Sequence, residues 1–297
     1  MTAPVARTHD PAPIGVFDSG VGGLTVLAAL LTALPDEQFV YLGDTARLPY
    51  GTKSAGTVRR YAVQAASILV ERGVKALVVA CNTASAVALE ALAQRYAPLP
   101  VFGVVAPGAQ AAAAIASRRV LVLATESTLA GGAYQRALLD LRPDLEVAGR
   151  ACPLLVALAE EGRRDGPIVQ AVLDDYLAGL GIAVKADQAA AAPLTVLLGC
   201  THFPVFGAAI QAHLAARGSA ARIVDSAATT AAAVAAGRDA GLFLQSGRTA
   251  RDRPDAVGAG ALSERVTLCA TDGAARFRRV GAFFLGRPID AVELVDL

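Results

Sequence analysis

Short apolar runs alternate along the chain with longer segments whose apolar residues recur at helical spacing. Candidate strands cover 13–20, 38–44, 75–82, 100–105, 119–125, 145–152, 194–201 and 221–227. Between them, "TVRRYAVQAASILVERG" (57–73) sets Val58, Tyr61, Ala65, Ile68 and Leu69 on one helical face. Strands apolar on both faces, alternating with helices, predict an α/β fold with parallel-type sheets flanked by helices. Ligands of such sheets gather at the carboxyl ends of the strands. Two cysteines fall there, Cys81 in "LVVACNTASA" (77–86) and Cys200 in "VLLGCTHFP" (196–204).

These two stretches align as three apolar residues, a small residue, Cys and two polar residues. Each is preceded by another strand with a polar mouth, "IGVFDSG" (14–20) and "VLVLATEST" (120–128). The pattern suggests duplication: two similar α/β halves would bring both cysteines to one cleft. The turn "DSGVGGLTVL" (18–27) leaves nucleotide binding as a rival, with Asp44 at the end of the second strand as the ribose acid. Its glycine spacing fails at Thr25, and Asp18 puts negative charge where a pyrophosphate would sit.

A chain of 297 residues suits about two domains, and a formal charge of +1 gives no reason to expect nucleic acid as a partner. Two segments lack charge for more than twenty residues, 97–117 and 188–212. Pro98, Pro100 and Pro107 interrupt the first, and Pro193, Gly199 and Pro204 the second, so each reads as strand, loop and helix rather than a membrane span. Residues 1–12 read as a flexible tail without a signal-peptide core, and the protein is expected in the cytoplasm. The four cysteines include no CxxC pair, which argues against a metal site or a disulfide framework. Cys152 and Cys269 read as small buried hydrophobes, and His9 and His213 as solvated.

Two facing cysteines suit one chemistry well. A thiol titrates near ~8.5, so one can serve as base while the other stays protonated. On opposite sides of a carbon they would invert its configuration by general acid–base catalysis. Asn82, Thr83, Thr201 and His202 would then donate hydrogen bonds to a substrate carboxylate and to the developing charge. A single nucleophilic Cys200 activated by His202 is the rival, and leaves Cys81 idle.

Four segments, "FDSGVGGLTVL" (17–27), "YLGDTARLPYG" (41–51), "VVACNTASA" (78–86) and "LLGCTHFP" (197–204), together with the ending "FRRVGAFFLGRPIDAVELVDL" (277–297), resemble the signatures of bacterial glutamate racemases. These belong to the aspartate/glutamate racemase superfamily. The resemblance implies cofactor-independent interconversion of L- and D-glutamate, supplying D-glutamate for peptidoglycan. It implies Cys81 and Cys200 as the catalytic acid and base, assisted by Asp18 and His202. Substrate contacts are implied for Asp18, Ser19, Tyr50, Gly51, Asn82, Thr83, Thr201 and His202. By weaker similarity, "ATESTLAGGAY" (124–134) implies Thr125 and Thr128 at the cleft, and "ACPLLVALAEEG" (151–162) implies Glu160 near the second thiol. Ala157 stands where such sequences usually carry Pro.

The implied fold has two pseudo-twofold-related α/β domains with the active site in the cleft between them. The expected division is 13–104 plus 217–297 for the first and 105–216 for the second. A homodimer is expected, with glutamate as small-molecule partner and neither metal nor membrane. The Ala-rich stretch 185–194 is expected as a surface loop. A related racemase acting on aspartate or another small acid is the alternative.

Overall fold

A computed structural model describes residues 9–178, 193–247 and 260–297. Among these described residues ten strands form two wholly parallel sheets. The first holds β1 (Ile14–Asp18), β2 (Phe39–Gly43), β3 (Ala76–Val79), β4 (Val101–Gly103), β9 (Val266–Ala270) and β10 (Glu293–Leu294). The second holds β5 (Arg119–Ala124), β6 (Glu146–Ala151), β7 (Leu194–Gly199) and β8 (Ala221–Asp225).

The strand orders are β10-β9-β2-β1-β3-β4 and β6-β5-β7-β8. Without β9 and β10, the first sheet repeats the order of the second, which supports the duplication suggested by the two cysteine segments. The central strands β1, β2, β3 and β7 are buried along their whole length, as helix-covered parallel strands must be. The edge strand β6 has no buried residue, because only one of its sides is paired.

All eight expected strands form, and the helix expected over 57–73 runs Ala55–Glu71. Ser54 caps it by accepting a hydrogen bond from the Thr57 N–H. The two long uncharged segments fold as strand followed by helix, Val101–Gly103 with Val105–Ile115, and Leu194–Gly199 with Gly207–Ala216. Among the described residues no helix is long and apolar enough to cross a membrane.

Three expectations need correction. The second boundary, at 216/217, falls too early: Ala221–Asp225 pairs with β7 in the four-stranded sheet, so the chain crosses back only after Asp225. The helix that follows, Ser226–Asp239, packs both on Leu24–Ala33 and on Val105–Ile115, bridging the two halves. Asp10 is no loose tail residue, because its N–H donates to Gln245 and its carbonyl accepts from Lys75 Nζ, both at 2.9 Å. His213 is buried instead of solvated, its Nδ1 3.0 Å from Gln170 Oε1. Cys152 and Cys269 are fully buried, as read. Residues 1–8 of the tail, and 185–192 of the Ala-rich stretch, lie outside the described residues.

Candidate active site

In each sheet the first two central strands, β1 with β3 and β5 with β7, are neighbours from which the chain departs in opposite directions. Their carboxyl ends are therefore switch points, where an open parallel sheet leaves a crevice. Ser19 follows β1 and Cys81 follows β3. Thr125 follows β5 and Cys200 follows β7. All four line one cavity of about 320 Å³ between the halves. Tyr50, Gly51, Asn82 and Thr83 complete its wall from the six-stranded side, and Glu160, Thr201 and His202 from the other.

Two expected contact residues lie behind this wall. Asp18 and Thr128 are both completely buried, and neither lines the cavity. Thr128 instead closes a ring of hydroxyls, 3.1 Å from Thr83 Oγ1 and 2.9 Å from Thr125 Oγ1, with Thr83 and Thr125 themselves 3.0 Å apart. The ring joins the halves beside the cavity.

Cys81 is the N-cap of helix Asn82–Arg95, so free N–H groups of the first turn surround it. Its sulfur lies 3.6 Å from Ser19 Oγ. Burial, and next the charge of Asp18, push this thiol up to about 12. Asp18 is itself raised by burial, although His202 and the backbone N–H groups of Gly20, Gly23 and Ser19 oppose the rise. Its Oδ2 accepts from Gly20 N–H at 2.9 Å, and its Oδ1 has no hydrogen-bond partner among the described residues. Asn82 accepts from Tyr134 Oη at 2.5 Å through Oδ1, which leaves its buried Nδ2 as a spare donor.

The surroundings of Cys200 are of another kind. His202 Nδ1 lies 3.8 Å from its sulfur, and His202 Nε2 lies 3.1 Å from Glu160 Oε1. Burial opposes a charged imidazole here, but the hydrogen bonds to Cys200 and Glu160 outweigh it and hold His202 at about 10. Burial likewise opposes the Glu160 charge, yet the bonds from His202 and Arg276 leave its carboxyl below the usual range. Arg276 was not expected at the site: it stands one residue ahead of the recognised C-terminal stretch, and nothing in its local pattern marks it.

The glycine turn serves this second thiol as well. A Cβ at Gly22 would lie 2.5 Å from the His202 ring and from Thr201 Oγ1, and Thr25 Oγ1 donates to the Thr201 carbonyl at 2.9 Å. Side chains of the opposite half thus fill the space a pyrophosphate would need, which removes the nucleotide reading. Tyr50 is buried and donates from its hydroxyl to Asp44, so Asp44 holds a wall residue and is not free for a ribose.

Among the described residues no lysine or arginine lines the cavity. An anionic substrate would be held by N–H groups, hydroxyls and the Asn82 amide. Among the described residues no group of three His, Cys, Asp or Glu side chains converges as a metal site. Leu48, Pro49, Pro153, Val156 and Ala157 supply apolar wall that the sequence reading did not assign to the cleft. Leu48 and Pro49 stand just ahead of Tyr50 in the segment 41–51, and Pro153, Val156 and Ala157 ride on the helix Pro153–Glu160 ahead of Glu160, where apolar side chains carry no polar chemistry to distinguish them.

Residues 14–234 match the Asp/Glu/Hydantoin racemase family. The chain belongs to that family. Relatives support the same placement. A glutamate racemase of Geobacter metallireducens is 45% identical over 285 residues, 96% of each chain. The crystal structure of a Thermus thermophilus glutamate racemase with β-chloro-D-alanine superposes with a TM-score of 0.78 at 42% identity, covering 97% of this chain and 98% of the other. A Francisella tularensis glutamate racemase crystallised with D-glutamate superposes with a TM-score of 0.80 at 31% identity, covering 96% and 98%. The resemblance read from the four motifs is borne out, and membership makes the protein an isomerase of the racemase class.

Proposed function

We propose that this protein interconverts L- and D-glutamate without a cofactor, Cys81 and Cys200 acting as base and acid on opposite faces of the α-carbon. The supporting observation is that two thiols, each at a strand mouth of a different sheet, line one cavity. One sulfur takes the α-proton, and the electron pair left on carbon delocalises into the α-carboxyl group. The opposite thiol then gives its proton to the other face, and the configuration inverts. Each turnover exchanges the protonation of the two sulfurs, so the reverse reaction uses the same groups.

The thiols receive different help. Cys81, pushed up to about 12 by burial and by the charge of Asp18, starts as the protonated acid, with the buried Asp18 carboxyl as its auxiliary group. His202 faces the Cys200 sulfur as a cation anchored by Glu160. Asn82 Nδ2, the hydroxyls of Ser19, Thr83 and Thr201, and the first-turn N–H groups after Cys81 hold the two carboxylates. The D-glutamate formed would feed peptidoglycan synthesis, a role tested by complementing a D-glutamate auxotroph.

The deciding experiment follows the circular dichroism of L-glutamate in deuterated water without pyridoxal phosphate, with L-aspartate as control. The wild type should abolish the signal of L-glutamate and install α-deuterium, while Cys81→Ala and Cys200→Ala each slow this by about 10³-fold or more. Unchanged L-glutamate under reducing conditions would overturn the assignment.

A further inference from the structure

The contacts behind Cys200 continue past Glu160. Arg276 Nη2 donates to Glu160 Oε2 at 2.9 Å, while the other carboxylate oxygen meets His202 Nε2 at 3.1 Å. Arg276 and Glu160 are 116 positions apart in sequence and ride on different halves of the molecule. Glu160 ends the helix Pro153–Glu160, which contacts the turn after Cys200. Arg276 belongs to the helix Ala274–Leu285, which packs on Leu24–Ala33 beside the six-stranded sheet.

The same helix makes a second contact with the imidazole. Phe284 stands edge-on to the His202 ring, with centroids 5.1 Å apart and planes at 81°. One element of the first half therefore packs against His202 through Phe284 and pins its carboxylate partner through Arg276. The ion pair is 46% exposed at Arg276 and 16% at Glu160, so it adds little to stability. Its consequence is directional: with one oxygen held by the guanidinium, the other is presented to Nε2, which turns Nδ1 toward the Cys200 sulfur.

We infer that Arg276 is a positioning residue for racemisation, reaching across the cleft to pin Glu160 and so aim His202 at Cys200. The inference rests on the two-thiol reading above. The ends of the ion pair sit on different halves, so the aim of His202 depends on how the two halves are docked. Cys81 depends less on the other half, because Ser19, Asp18 and the helix Asn82–Arg95 belong to its own half and only the charge of His202 reaches Asp18 from across the cleft.

The test measures kcat, KM and α-deuterium isotope effects from both enantiomers for wild type, Arg276→Gln, Arg276→Lys, Glu160→Gln and the double variant Arg276→Gln/Glu160→Gln. Arg276→Gln should lower kcat about tenfold with KM within about twofold, the size of one lost charge-assisted hydrogen bond. The isotope effect should rise for the enantiomer deprotonated by Cys200 and fall for the other, because only one of the two proton transfers has been slowed. Arg276→Lys keeps the charge without the planar fork and should fall between the two, with unchanged melting temperature. In the Glu160→Gln background the Arg276→Gln change should add nothing.

Unchanged kcat in Arg276→Gln, equal isotope shifts in both directions, or additive losses in the double variant would each overturn the role of Arg276. A wild type that leaves glutamate unchanged would overturn the racemase reading along with it. An active wild type beside an indifferent Arg276→Gln overturns this inference alone.

Discussion

Cys81 and Cys200 occupy equivalent places in two sheets of the same strand order, yet different groups stand behind them. Behind Cys81 are Ser19 and the buried Asp18 carboxyl, and among the described residues no cation contacts this thiol. Behind Cys200 is a cation, His202, itself tied to Glu160 and through it to Arg276. Strand order delivers a thiol to a crevice. The chemistry of that thiol is set by whatever second-layer side chains reach it, and duplication does not keep those equal. On the proposed two-thiol mechanism the inequality has a use: one thiol starts as the protonated acid while the other sulfur faces a cation, and turnover reverses the arrangement.

The sharpest way to break this comparison is to remove one assistant from each side. Asp18→Asn and His202→Gln should each lower kcat by about 10²-fold, the range of an acid–base contribution. Their α-deuterium isotope effects should shift in opposite senses, Asp18→Asn slowing transfer at Cys81 and His202→Gln at Cys200. Shifts of the same sense in both variants would mean that the two sides are not separately assisted.

A smaller effect is expected from the glycine turn, where two neighbours serve different sides. Gly22→Ala drives a methyl into His202 and Thr201, so it should cost ~1–3 kcal/mol of stability and slow turnover about tenfold. At Gly20 the added Cβ meets only Leu48 Cδ2 at 3.5 Å, an ordinary contact. Gly20→Ala should keep near-wild-type melting and activity. Equal damage from the two substitutions would detach the turn from the Cys200 side.

The smallest effect is a pH dependence of stability. His202 is raised from its ordinary 6.5 to about 10, so its contribution is complete below 6.5 and is lost as pH rises through about 10. Glu160 is lowered from 4.5, so its contribution is complete above 4.5 and is lost as pH falls. The melting-temperature advantage of wild type over His202→Gln should therefore peak between pH 4.5 and 6.5 and shrink toward pH 10. A constant difference across that range would show that His202 is not charged in the folded protein.

Much of this architecture was legible along the chain. The central strands β1, β3, β5 and β7 are runs of Val, Leu and Ile bounded by polar mouths, because burial on both faces leaves no room for alternation. Strand β9 escaped notice: "VTLCA" is short, carries an exposed Thr267, and is a strand by virtue of pairing with β2. The two-residue β10 has no pattern of its own at all. The boundary at 216/217 failed for a related reason, since the sheet that Ala221–Asp225 joins is decided by its partner β7 and not by its own residues.

The candidate site divides along the same line. Cys81, Asn82, Thr83, Cys200, Thr201 and His202 could be read because each sits within four residues of a strand end. Asp18 could be read too, but its placement behind the wall could not, since that depends on how the turn 19–23 folds over it. Glu160 was reached only by similarity, and Arg276 not at all. The sequence by itself determined where strands end and which polar residues stand at those ends, because local periodicity encodes burial. Only the tertiary structure decided which assistant each thiol receives, because a contact such as Arg276–Glu160 joins residues 116 positions apart whose local patterns carry no record of each other.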